Sequence, residues 1–140
     1  MTNESINTKS EILNSKQNPM PQIPNSKLKK YDLEERTQRF AQRVIGYVDV
    51  LPKSLANIEI SKQLIRSGGS IGANYIEANE ALGKKDFIMK VKTCKREAKE
   101  SRYWLRLSQS FEGDISRKDG LIREATELMK IFGSIIARSI

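Results

Sequence analysis

Arg66-Ser67-Gly68-Gly69-Ser70-Ile71-Gly72-Ala73-Asn74-Tyr75-Ile76-Glu77-Ala78-Asn79-Glu80-Ala81-Leu82-Gly83-Lys84-Lys85-Asp86 is the stretch whose reading decides the fold. Its spacing is helical, yet Gly68, Gly69 and Gly72 stand near its middle. Each costs about 1 kcal/mol against alanine in a helix interior, so something must offset them. At about 100° per residue, Leu64, Gly68, Ile71, Gly72, Tyr75, Ala78, Asn79 and Leu82 share one face. That face alternates large and small side chains, which is what a close helix–helix crossing requires. Arg66, Ser70, Ala73, Asn74, Glu77 and Glu80 lie on the other face as a polar stripe. The stripe is either solvated surface or a contact with another chain or a charged ligand.

The rest of the chain is helical in the same way. Asp32 followed by Glu35 has capping-box spacing and starts a first helix. Leu33, Phe40, Val44, Tyr47, Val48 and Leu51 are its inward residues, and Pro52 ends it. Asn57 is the expected N-cap of the second helix, and Gly83 its stop. The third begins near Lys85 or Asp86 and turns Phe87, Val91, Cys94, Ala98, Ser101 and Leu105 inward. A turn around Gly113 leads to a fourth helix, capped by Ser116 or Asp119. Its apolar face is Leu121, Ile122, Ala125, Leu128, Met129, Phe132, Ile135 and Ile136. No sustained period-two run marks a strand. Short connections make the helices antiparallel neighbours, so the expected fold is all-α: an up-down-up-down four-helix bundle over residues 31–140. Residues 1–30, rich in Ser, Asn and Lys and holding Pro19, Pro21 and Pro24, are expected to be a disordered tail.

Composition narrows the function. The 140 residues contain no histidine. Catalytic triads, histidine acid–base chemistry and most zinc sites are thereby excluded as usually built. A carboxylate metal site on Glu77 and Glu80 is a weak alternative to a solvated pair, so no catalytic residue, metal or cofactor is expected, and the protein reads as no enzyme. No apolar run is long enough to span a membrane. The N-terminus lacks a basic-then-apolar leader. The single cysteine, Cys94, has no partner for an intrachain disulfide, which fits a cytoplasmic home.

The net charge of +8 is unevenly spread. Residues 84–106 hold nine basic and three acidic groups. Within them Lys92, Lys95, Lys99, Arg102 and Arg106 follow one another at three- and four-residue spacings, in one line about 20 Å long at 1.5 Å per residue. Lys84, Lys85 and Arg96 flank it. Like charges at such spacings repel by roughly 0.2–0.5 kcal/mol per pair. The line therefore calls for an anion: nucleic-acid phosphates, carboxylates such as Glu34, Glu35, Glu77 and Glu80 of this chain or a neighbour, or plain solvent. A second seam of the third helix holds Met89, Tyr103, Trp104 and Leu107. It is either an outward protein contact or the edge of a broad core face.

One resemblance sharpens this. Arg66-Ser67-x-x-Ser70-Ile71-x-Ala73-Asn74-x-x-Glu77-Ala78, then Lys84-Lys85-Asp86-Phe87, then Lys95-Arg96-Glu97-Ala98-Lys99-Glu100-Ser101-Arg102-Tyr103-Trp104-Leu105 resembles the four-helix-bundle proteins encoded in intervening sequences of 23S ribosomal RNA genes. Tyr103-Trp104-Leu105-Arg106-Leu107 and Gly133-Ser134-Ile135-Ile136-Ala137-Arg138 are also similar to segments of the accessory variability proteins of diversity-generating retroelements. The resemblance implies a homopentameric ring, binding to RNA or DNA, and, in the retroelement branch, binding to a reverse transcriptase. It implies no enzymatic activity. On that reading Arg66, Ser70, Asn74, Glu77, Tyr103, Trp104 and Leu107 are oligomer-interface residues. Lys84, Lys85, Lys92, Lys95, Arg96, Lys99, Arg102 and Arg106 then carry the nucleic-acid surface.

Overall fold

The computed structural model describes the backbone of residues 25–140 and the side chains of residues 33–140. The expected tail lies outside the described residues as far as residue 24. Four helices follow: α1 (Asn25–Asp49), α2 (Leu55–Asn79), α3 (Lys84–Leu107) and α4 (Ile115–Ser139). A single 3-10 turn, Glu112–Asp114, precedes α4. No strand occurs among the described residues. The chain is an all-α four-helix bundle whose helices pack in sequence order, α1 on α2, α2 on α3 and α3 on α4. α4 closes back on α1 through a much thinner interface.

The core is the one the periodicity lays out, except that Leu82, expected on the inward face of the second helix, lies beyond the end of α2 and is fully exposed. Phe40, Val44 and Tyr47 of α1, Leu64, Ile71 and Tyr75 of α2, Val91, Cys94, Ala98 and Leu105 of α3, and Leu121, Ala125, Leu128 and Phe132 of α4 are all buried. Burying such side chains is the main favourable term holding the helices together. The glycines of α2 show what offsets their cost. A β-carbon on Gly68 would lie 3.4 Å from a methyl of Val44, and one on Gly72 would lie 2.9 Å from Oγ1 of Thr37. Both therefore let α1 approach closely. Gly69 has nothing within 4 Å of its β-position. Its cost is offset by no packing among the described residues.

The ends of the elements differ from the expectations. α1 begins before Asp32, because no glycine or proline stands between Pro24 and Asp32 to hold it back. Ser54, not Asn57, caps α2: its hydroxyl accepts from the Asn57 amide N–H at 3.1 Å. Asn57 is buried and joins the two loops at one end of the bundle. Its Nδ2 donates to the Pro52 and Gln109 carbonyls, both at 2.9 Å, and its Oδ1 accepts from the Gln109 N–H at 3.0 Å. α2 stops at Asn79, where the Glu80 and Ala81 N–H groups bond three residues back. Asn79 itself donates to Glu34 at 2.8 Å, tying that end of α2 to α1. Gly83 has ordinary extended backbone and precedes α3 rather than ending α2. α4 starts at Ile115 behind Asp114, ahead of Ser116 and Asp119, because the 3-10 turn already winds the chain.

Candidate nucleic-acid interface

The cations of α3 lie along its groove with α4. Two contacts fix this. The Nζ of Lys95 sits 3.4 Å from the β-position of Gly133, and Arg102 donates to the Thr126 hydroxyl at 3.1 Å. Gly133 is thus a seat for a lysine stem, and Thr126 anchors one guanidinium. Lys92, Lys99 and Arg106 continue the line as exposed side chains. Lys84 and Lys85 stand exposed on the first turn of α3, where the helix dipole disfavours positive charge. Among the described residues, none of Lys84, Lys85, Lys92, Lys95, Lys99, Arg102 or Arg106 forms an ion pair. Arg96 departs from the group: it turns toward Glu97, at 3.8 Å.

Two members of the polar stripe of α2, Arg66 and Glu77, meet α3. Arg66 pairs with Glu100 at 2.8 Å and reaches Glu97 at 3.5 Å. Glu77 accepts from Lys90 at 2.8 Å, and this carboxylate holds the Lys90 ammonium above its ordinary pKa. Asn74 bonds back to the Ser70 carbonyl at 2.9 Å. α3 thus spends its two middle acids, Glu97 and Glu100, on the α2 side and presents uncompensated cations on the α4 side. Glu97 is buried, a feature the spacing of charged residues does not announce.

Tyr103 is 56% exposed and stands edge-on to Trp104, ring centres 5.0 Å apart. Trp104 is half-buried against the core, and Leu107 is exposed. Trp104 closes the core edge, while Tyr103, Leu107 and Met89 are exposed.

The flank shared by α1 and α2 has the opposite character. A groove of about 650 Å³ runs between these helices, lined by Glu34, Glu35, Ala41, Gly69, Ala73 and Ile76 among others. Ile45, Ile65 and Ile76 are exposed. Among the described residues no three of Cys, Asp and Glu gather as a metal site would require. No helix among them is long and apolar enough to cross a membrane. Sequence periodicity does not single out Arg43, Arg117 and Arg123, which lie over Gly46 or Gly120 between α1 and α4. Their only signal is a three-residue spacing from Gly46 or Gly120, which acquires meaning once the two helices are in register.

The family model of the 23S rRNA-intervening sequence proteins matches residues 29–134. A crystal structure of a protein with unknown function from the S23 ribosomal protein family of Bacteroides thetaiotaomicron is 32% identical. The match covers 78% of this chain and 98% of that one, with a TM-score of 0.67. No curated protein matches.

Proposed function

The chain belongs to the family of 23S rRNA-intervening sequence proteins, and we propose that it is a non-enzymatic module that assembles with copies of itself and binds RNA or DNA. The observation that carries the binding reading is the unpaired line Lys92, Lys95, Lys99, Arg102 and Arg106 in the α3/α4 groove. A flexible lysine neutralises a phosphate as a point charge and reads no base, so the contact positions a strand without selecting its sequence. Copies meet across the α1/α2 flank, where Ile45, Ile65 and Ile76 stay in water in the single chain, rather than through the expected Arg66, Ser70, Asn74 and Glu77 stripe, whose Arg66 and Glu77 already pair with α3. The ring of five that the resemblance implies fits this reading, as does the cytoplasmic setting expected for a lone cysteine.

The test is fluorescence anisotropy of a labelled single-stranded RNA against increasing salt. Binding should weaken steeply, and Lys92→Gln, Lys95→Gln and Lys99→Gln together should flatten the dependence. Affinity that ignores salt would sink the proposal. A second reading, an adaptor for a protein such as a reverse transcriptase, draws on exposed Tyr103, Leu107 and Met89. It predicts that Tyr103→Ala and Leu107→Ala abolish capture of that enzyme while the lysine changes do not.

A further inference from the structure

The trough between α1 and α4, where these helices touch least, holds an arrangement that the α3 cations do not account for. Each helix places a glycine under an arginine of the other. Arg117 of α4 reaches over Gly46 of α1, its Nη2 2.9 Å from the position a β-carbon would take. Arg43 of α1 reaches over Gly120 of α4, with Nη2 3.4 Å from the corresponding position. The Nη2 of Arg123 comes within 3.8 Å of that same point. The guanidinium ends of Arg43 and Arg123 are therefore no more than about 7 Å apart, a gap that one oxyanion spans with two charge-assisted hydrogen bonds. Gly46 is one turn from Arg43, and Gly120 is one turn from both Arg117 and Arg123, so all three cations belong to one patch.

None of the three arginines has an ion-pair or hydrogen-bond partner among the described residues. Glu124, the neighbour of Arg123 in α4, is taken: Arg36 holds both its oxygens, at 2.7 and 2.9 Å. Gathering three cations without a counter-charge is unfavourable, and glycine in mid-helix is costly. What Gly46 and Gly120 make room for is the guanidinium groups themselves. The planar forks of Arg43 and Arg123 on either side of one gap, with Arg117 reaching over Gly46 beside them, match an oxyanion that has oxygens to spare for each.

We infer that Arg43, Arg117 and Arg123 form a phosphate-binding site in the α1/α4 trough. The site lies on the opposite side of α4 from the α3 line and goes beyond the function proposed above. Its phosphate comes from either of two sources, a terminal phosphate or the diester backbone of a nucleic acid.

The test uses the full chain, with inorganic phosphate against chloride at matched ionic strength in thermal shift and calorimetry. Phosphate should raise the melting temperature of the natural chain. That gain should vanish in Arg43→Gln/Arg117→Gln/Arg123→Gln and persist in Lys92→Gln/Lys95→Gln/Lys99→Gln, with circular dichroism showing each variant folded. Gly46→Ala leaves every charge in place but displaces Arg117, and it should weaken phosphate binding severalfold. In the RNA arm, tighter binding of a 5′-phosphorylated oligonucleotide than of its 5′-hydroxyl twin assigns the terminal group. Equal binding of the two, abolished in the arginine variant, assigns the backbone. Phosphate that acts no differently from chloride, or acts equally on the arginine variant, overturns the site. Loss of RNA binding through the lysines alone would leave it standing, so the two proposals fail separately.

Discussion

At the scale of single residues, the glycines of α2 separate into two kinds. Thr37 cannot yield to a methyl on Gly72, because its hydroxyl is already held by the Leu33 and Glu34 carbonyls at 2.7 and 3.0 Å. Gly72→Ala should therefore lose about 1–3 kcal/mol to overpacking, although alanine is the better helix former. Gly69→Ala meets open space and should gain up to about 1 kcal/mol in the isolated chain. Urea unfolding of both variants checks the pair, and equal effects would refute the close-crossing account. Cys94 supplies a second residue-scale expectation. Burial pushes its thiol from 9.0 up to about 12. The unfolded chain releases that proton near pH 9 while the folded chain keeps it, so the folded state binds more protons in between. The stability involved is fully present below pH 9 and is lost as pH rises toward 12. Tyr47, raised above 10.0 by burial against the opposing pull of Ser108 and Ser110, acts in the same direction. Cys94→Ala should cost about 1 kcal/mol near pH 7 through its small cavity. It should nevertheless lose less stability than the natural chain between pH 8 and 11. Urea midpoints that fall in parallel for both proteins would show that the thiol does not carry the effect.

At the scale of elements, Asn57 is the residue on which two connections depend. It satisfies two carbonyls and one N–H from the loops after α1 and after α3. Asn57→Ala leaves these groups without their partner in a buried place, for an expected loss of about 2–3 kcal/mol. Asn57→Asp should do no better, since a carboxylate faces the same two carbonyls. A melting temperature unchanged in the alanine variant would refute the clasp. The same residue marks how far a sequence can be read. The inward faces of all four helices are legible, because burial repeats with the helical period and leaves its trace every three or four positions. Helix ends and Asn57 are not, because a cap competes with a long-range partner that only the folded loop supplies. The α3 cations are legible as a line. That Glu97 and Glu100 turn to α2, and that Arg43, Arg117 and Arg123 converge, depends on the register between helices, which no single helix records.

At the scale of the molecule, the line of α3 cations and the exposed isoleucines of α1 and α2 lie on different flanks, so on the proposed function assembly and binding can be altered separately. For a single strand the logarithmic salt slope scales as about 0.7 for each phosphate neutralised, so removing Lys92, Lys95 and Lys99 should reduce it by about 2. Assembly acts on affinity by another route. Ile65 and Ile76 are 45% and 52% exposed, so glutamate at both positions should change the stability of a lone chain little. In an assembly built on the α1/α2 flank the same changes bury charge against apolar surface and should split it into monomers, read by light scattering. Several copies on one strand raise its apparent affinity by ~10²–10⁴ through effective concentration alone. The Ile65→Glu/Ile76→Glu chain should therefore keep the salt dependence of each copy yet bind a long RNA far more weakly, while a strand too short for two copies should bind as before. If the double variant stays assembled, the α1/α2 flank is not the joint. If it comes apart and still binds long RNA as the natural chain does, each copy acts alone and the assembly serves something other than grip.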